Sequence, residues 1–71
     1  MDFTINGVPR EFPDISPGAT LDALIEALEL KGDRVAVEHN GDIVTRSRWA
    51  DTPVISGDKF EIVHFVGGGL R

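Results

Sequence analysis

Residues 20 to 32, TLDALIEALELKG, contain the amphipathic helix that decides the fold. Its apolar residues follow the i, i+3, i+4, i+7 spacing of a single helical stripe: Leu21, Leu24, Ile25 and Leu28. Thr20 suits the N-cap, and Lys31 and Gly32 suit the last turn and the C′ position after it. A helix with one apolar stripe needs one apolar surface to cover, so the rest of the chain is expected to supply a sheet face.

Segments with strand character lie on both sides of this helix. Residues 1–12 and 34–45 each predict a pair of strands joined at an Asn-Gly turn, the dipeptide that two-residue hairpins favour. Residues 46–54, RSRWADTPV, are polar and predict irregular structure. Residues 59–66, KFEIVHFV, predict the last strand.

The resulting order, β-β-α-β-(β)-β, predicts an α+β fold with a mixed sheet and one main helix packed on one face. A strand after the helix is expected to pair in parallel with the first hairpin. A β-grasp (ubiquitin-like) roll fits this order, whereas a ferredoxin-like fold needs a second helix that the sequence lacks. We expect a β-grasp domain over residues 1–66 and a flexible Gly-rich C-terminal tail over residues 67–71.

Composition excludes several classes of function. The 71-residue chain has no cysteine, which excludes disulfides, cysteine zinc sites and a cysteine nucleophile. Its formal net charge of −5, without a basic cluster, argues against nucleic acid and favours proteins with basic docking surfaces. No segment approaches the roughly 20 apolar residues of a membrane span, and no signal peptide precedes the fold, so a cytoplasmic location is expected.

The sequence offers no arrangement of side chains suited to catalysis. It contains no combination of nucleophile and base for which a geometry can be argued, so we expect no catalytic residue and no autonomous enzyme. The two histidines, His39 and His64, are too few to hold a metal without help, and both are expected to be solvated strand residues. Trp49 is expected in the core.

Side chains alternate along a strand, so Phe60 and Ile62 should face one way and Val63 and Phe65 the other. If the first pair meets the helix, the second pair stands on the uncovered sheet face. There Val63 and Phe65 form either an exposed partner surface or a second small core with Trp49 under the 46–56 segment. The sequence leaves both interpretations open.

The last strand runs into three glycines, Gly67, Gly68 and Gly69. Backbone without Cβ atoms makes a thin thread that a narrow channel in another protein can admit. The chemistry would then take place at the terminal carboxylate, which becomes reactive as an acyl-adenylate formed with ATP. A partner must hold that ATP, because the chain has no Gly-Lys-Ser/Thr phosphate loop.

Two stretches resemble a known family. GDKFEIVHFVGGG, residues 57–69, is similar to the C-terminal motif of the sulfur carrier proteins of thiamin biosynthesis, the ThiS family. VAVEHNGDIVTRSRWADTPV, residues 35–54, resembles their middle section. The hairpin and the helix are compatible with the family but less specific.

The resemblance implies a carrier with no bound cofactor. An ATP-using enzyme of the ThiF type would adenylate the carboxylate of Gly69, and sulfur from a cysteine desulfurase persulfide would convert it to a thiocarboxylate. Thiazole synthase (ThiG) would receive that sulfur. Gly67 and Gly68 would be the thread, and Val63 and Phe65 would contact these partners.

Leu70 and Arg71 depart from the family pattern, whose members typically end at a diglycine. Three explanations are open: proteolytic trimming, residues added for expression, or a member that is not an active carrier. Other functions also stay open. The small subunit of molybdopterin synthase and other Gly-Gly sulfur carriers share the chemistry, and a non-catalytic ubiquitin-like interaction module would use the glycines only as a tail.

Overall fold

The computed structural model describes residues 1–65, which form one five-stranded sheet with an α-helix packed on one face. The elements are β1 (Asp2–Ile5), β2 (Val8–Glu11), α1 (Leu21–Ala27), β3 (Val35–His39), β4 (Asp42–Val44) and β5 (Lys59–His64). Two 3₁₀ helices, Gly32–Arg34 and Arg46–Asp51, precede β3 and follow β4. The predicted β-grasp order is confirmed. No helix among these 65 residues is long and apolar enough to cross a membrane.

The sheet has the strand order β2-β1-β5-β3-β4. β5 is the central strand, and its pairing with β1 is parallel, with Thr4 beside Lys59 and Ile5 beside Phe60. The other pairs are antiparallel. The parallel pairing predicted between the first hairpin and a later strand is therefore confirmed, and the later strand is the last one.

Both Asn-Gly turns form as predicted. Asn6 and Gly7 have φ of 51° and 82°, and Asn40 and Gly41 have φ of 51° and 92°. Two consecutive positive φ values give the type I′ turn whose twist matches that of a hairpin. Asparagine tolerates this region better than other residues with a Cβ.

The core lies between the sheet and α1. Its largest fully buried side chains come from the central strands, the helix and β3: Phe3, Phe60, Leu21, Leu24 and Val37. The rings of Phe3 and Phe60 meet edge to face, with centroids 5.5 Å apart. The helical stripe predicted from the sequence is the surface that covers these rings.

Trp49 lies in this core, as predicted, but it is carried by a helix where the sequence predicted irregular structure. The second 3₁₀ helix turns the indole inward until it is 4% exposed, and its Nε1 donates a hydrogen bond to the carbonyl of Val44 at 2.9 Å. The buried donor is therefore satisfied. Leu21 N–H donates to the carbonyl of Thr52 at 2.8 Å, which joins the start of α1 to the end of this segment.

The helix ends earlier than predicted, and the predicted roles of Lys31 and Gly32 are wrong. Leu28 is the C-cap, and Glu29 is the C′ residue, with φ of 60°. Glu29 N–H donates to Glu26 O at 2.9 Å, and Leu30 N–H donates to Ile25 O at 3.2 Å. These two bonds make a Schellman motif with glutamate where glycine is usual.

Gly32 is glycine because of close packing and not because it ends the helix. A Cβ at this position would lie 3.0 Å from Cζ3 of Trp49 and 3.1 Å from Nε of Arg46. Gly32 begins the first 3₁₀ helix, and Lys31 precedes it as that helix's N-cap.

The Schellman motif predicts that Glu29→Gly stabilises the protein. A side chain in the left-handed region costs roughly 1–2 kcal/mol, whereas the extra chain entropy that glycine loses on folding costs about 0.5–1 kcal/mol. We expect a net gain of about 0.5–1 kcal/mol in the free energy of unfolding, measured by urea denaturation. The matched control is Glu26→Gly, an exposed position inside α1, where the same change should cost about 1 kcal/mol. Equal losses in both variants would contradict this account.

Candidate functional site

The last strand presents two different faces, as its alternation predicts. Phe60 and Ile62 are 1% and 6% exposed beneath α1, whereas Val63 and Phe65 are 61% and 55% exposed on the opposite face of the sheet. Trp49 lies in the main core, so no second small core forms around it. Of the two interpretations that the sequence left open, the structure supports the exposed surface.

A third large apolar side chain shares this uncovered face and was missed by the sequence analysis. Ile43 on β4 is 75% exposed and lies directly across from Glu38 of β3. Ala36, next on the same face of β3, lies across from Val63. Ile43, Val63 and Phe65 are called the apolar patch below. The strand β4 has only three residues, two of them hydrophobic, and the sequence does not show which of these two faces outward. Only the pairing register with β3 decides this.

An open groove of about 460 Å³ adjoins the apolar patch. Ile43 and Phe65 line it together with Ala36, Val44 and Thr45. The groove therefore offers apolar walls beside Phe65, two residues before Gly67.

The side chain of Asn6 holds β5 where β1 has already ended. Its Oδ1 accepts a hydrogen bond from Ile62 N–H at 2.6 Å, and its Nδ2 donates to Ile62 O at 3.1 Å. The side-chain amide of Asn6 thus makes the two hydrogen bonds to β5 that the backbone of one further strand residue would otherwise make. The sequence identified Asn6 only as a turn residue, because a contact across 56 positions leaves no local pattern.

On its other side, β5 is paired with β3 as far as His64, which lies across from Val35. One residue further, Phe65 N–H donates to Arg34 O at 2.9 Å. The chain is therefore held by backbone hydrogen bonds up to Phe65, two residues before Gly67. The predicted thread and attachment residues, Gly67, Gly68 and Gly69, lie outside the described residues, as do Leu70 and Arg71.

The two histidines differ. His64 is exposed, as predicted, but the prediction that His39 is solvated is wrong. The ring of His39 stacks on Phe60, with centroids 4.9 Å apart and planes 9° apart, and its Nε2 lies 2.8 Å from Oδ2 of Asp58. Their side chains are 18% and 12% exposed. The register that sets His39 across from Phe60 places it at the edge of the core.

Asp58 joins two turns at the end of the sheet away from the tail. Its carboxylate accepts hydrogen bonds from His39, from Asn40 Nδ2 at 3.2 Å and from Ile55 N–H at 2.9 Å. Burial alone would raise the pKa of Asp58, but these hydrogen bonds and the charge of His39 together outweigh it and hold that pKa below its ordinary value.

Comparison with known proteins identifies the family. The profile of the ThiS family matches residues 3–69. The chain belongs to the ThiS family. The match includes all three glycines and ends before Leu70.

Relatives of two kinds resemble this ThiS-family chain. It is 38% identical to the sulfur carrier protein ThiS of Bacillus subtilis over 50 residues, which are 70% of this chain and 76% of that protein. It is 45% and 35% identical, over 97% of its own length, to thiazole synthases of Paramagnetospirillum magneticum and Magnetococcus marinus. The chain spans 20% of the length of each of those two proteins.

The fold is also similar to that of a solved ThiS protein. The crystal structure of the thiamine biosynthesis protein ThiS from Geobacter metallireducens matches 97% of this chain and all of that chain, with a TM-score of 0.81 and 34% identity. The resemblance to this family drawn from residues 35–54 and 57–69 is confirmed.

The two faces of β5 predict opposite responses to the same kind of substitution. Val63→Thr and Phe65→Ser change exposed side chains, so each should alter the free energy of unfolding by no more than about 0.5 kcal/mol. Ile62→Thr buries a hydroxyl and removes methyl contacts, and should cost about 2 kcal/mol or more. Urea denaturation measures all three. A loss at Val63 as large as the loss at Ile62 would show that the apolar patch is covered.

The lowered pKa of Asp58 predicts an acid-dependent contribution to stability. Because the folded pKa lies below the unfolded value of about 3.9, the contribution is fully present above that pH and is lost as the pH falls through the folded pKa. Asp58→Asn should therefore be less stable than wild type at pH 7, and the difference should shrink below about pH 4. Thermal unfolding from pH 7 to pH 2 measures this, with Asp51→Asn, an exposed position, as the control for net charge. A difference that does not change with pH would contradict it.

Proposed function

We propose that this ThiS-family chain is a sulfur carrier of thiamin biosynthesis, in which Gly69 carries the sulfur. The observation that supports this most is the family match over residues 3–69, which ends on the third glycine. In this proposal the carboxylate that reacts belongs to Gly69, so Leu70 and Arg71 are absent from the active carrier.

The chemistry belongs to the terminal carboxylate. A ThiF-type enzyme binds ATP, and an oxygen of the Gly69 carboxylate attacks the α-phosphate, so that pyrophosphate leaves and an acyl-adenylate forms. The outer sulfur of a cysteine desulfurase persulfide attacks the acyl-adenylate and displaces AMP, which gives an acyl disulfide. A thiol then attacks the S–S bond of this adduct, so that a disulfide forms and the thiocarboxylate of Gly69 is released. The chain is a co-substrate of these enzymes and performs no catalysis itself.

The geometry before the tail suits this role. Hydrogen bonds hold the chain up to Phe65, and from there the four residues to Gly69 reach at most roughly 14 Å. The reacting carboxylate therefore enters a partner's active site only when the partner lies close to the end of β5. Three glycines let the thread pass where a Cβ would clash.

The apolar patch is the surface through which partners come that close. A group of exposed apolar side chains often marks an interaction surface, and this patch lies on the face that α1 leaves uncovered and includes Phe65, the last residue held by a backbone hydrogen bond. Thiazole synthase is one such partner in this proposal. Its support is that two proteins named thiazole synthase contain a segment similar to nearly the whole of this chain.

Mass spectrometry of the intact protein tests the proposal. The chain should be isolated from cells that express the partner enzymes, and its mass should end at Gly69 with one oxygen replaced by sulfur. In Gly68→Val the added side chain should block entry into the activating enzyme and abolish this mass increment, while thermal unfolding stays unchanged. Ala50→Val, an exposed position on the second 3₁₀ helix, adds comparable bulk away from the tail and should be modified normally.

Two results would contradict the proposal. One is a thiocarboxylate on the Gly68→Val chain at the wild-type level. The other is a wild-type chain that remains unmodified through Arg71 although the partner enzymes are present and active on another carrier.

A further inference from the structure

Two glutamates face each other in the middle of the uncovered sheet face. Glu38 of β3 and Glu61 of β5 are directly opposite in the antiparallel register, and both are exposed. Like charges in this arrangement destabilise a sheet. Within residues 1–65 the only ion pair within 4 Å is His39–Asp58, so neither glutamate is neutralised at that distance.

The glutamates adjoin the apolar patch. Glu38 lies across from Ile43 on one side and from Glu61 on the other. The next residues on the same face, Ala36 and Val63, also lie across from each other, one step nearer the tail. The uncovered face is thus apolar at Ala36 and Val63, nearer the tail, whereas Ile43 lies level with the two glutamates.

We propose that Glu38 and Glu61 together bind one lysine or arginine side chain of thiazole synthase while the apolar patch packs against the same partner. This inference rests on the proposed function, and it adds the charge that the partner must present. Lys59 lies on the same face and lines the same cleft as both glutamates, but within residues 1–65 it forms no ion pair with either within 4 Å. A partner's cation between the two carboxylates therefore still reduces their repulsion. An arginine can bridge both carboxylates because its planar fork carries several donors.

The combination of apolar and acidic surface favours a protein as the occupant. A small cation would gain nothing from the adjoining apolar side chains. A nucleic acid would be repelled by the net charge of −5. A protein surface with an apolar side chain for the groove and a basic side chain beside it satisfies both parts of the face.

The location of the glutamates also orients the partner. Because they lie further from the tail than Val63 and Phe65, the basic side chain binds behind these two apolar contacts, and the chain continues toward the glycines beyond them. The partner's active-site entrance then lies beyond Phe65. Charge complementarity of this kind sets the register of a complex more than its raw affinity.

Binding to purified thiazole synthase, measured at low salt and at 1 M salt, tests the inference. Glu38→Gln should raise the Kd about three- to five-fold at low salt, as expected for one exposed charge pair. Glu61→Lys should raise it about tenfold or more, because it places a cation against the partner's cation. At 1 M salt, where the Debye length is about 3 Å, both differences should largely disappear.

Stability provides the second measurement, because damage to the fold would lower affinity for a trivial reason. Glu61→Lys replaces the like charge across from Glu38 by an opposite charge but adds a cation two residues from Lys59 on the same face, so its melting temperature should stay close to that of wild type. The matched control is Glu26→Lys, an exposed glutamate on α1, which is on the other face of the sheet. It makes the same change in net charge and should leave the Kd within about two-fold of wild type, apart from long-range steering.

The outcomes separate this inference from the proposed function. A stable Glu61→Lys chain with weakened, salt-sensitive binding supports the inference. Wild-type affinity in both glutamate variants overturns it and leaves the proposed function standing, as does equal weakening by Glu26→Lys. A wild-type chain that binds no thiazole synthase at low salt overturns both.

Discussion

The parallel pairing of β1 with β5 is the constraint on which the rest of the structure depends. It brings strands from opposite ends of the described chain to the centre of the sheet, where Phe3 and Phe60 meet edge to face under the helix. Once Phe60 faces α1, the period of two along a strand decides every later side chain of β5. Val63 and Phe65 must then face away from the helix. The same contact that closes the core therefore creates the exposed surface before the glycines.

A second consequence follows from unequal strand lengths. β1 ends at Ile5, whereas β5 continues to His64, so the last part of β5 has no strand on that side. The Asn6 side chain supplies the missing hydrogen bonds to Ile62, and β3 holds the opposite side up to Phe65. A rigid end to the domain matters for a carrier, because a short thread reaches a partner's active site only from a defined starting point.

The two ends of the sheet differ in how completely their side chains are paired or buried. At the end away from the tail, His39 and Asp58 form a satisfied pair against the core, and the hydrogen bonds that join the two turns are complete. Toward the tail, the side chains of Val63 and Phe65 are exposed and add little to the core. Further from the tail on the same face, the opposed carboxylates of Glu38 and Glu61 form no ion pair within 4 Å among residues 1–65. Unsatisfied surface of this sort stabilises a complex in preference to the free chain.

The sequence by itself determined the element order, both Asn-Gly turns, the two faces of β5 and the family, because each depends on local spacing or on residue identity. Only the tertiary structure decided where α1 ends, how His39 is buried, what Asn6 binds and which way Ile43 faces. Each of these depends on contacts between residues far apart in the chain. Helix α1 stops early because Leu30 turns back toward the core, and glutamate accepts the left-handed position that this turn requires. Local pattern reports what a segment can form, whereas packing against distant segments decides where it stops and what it touches.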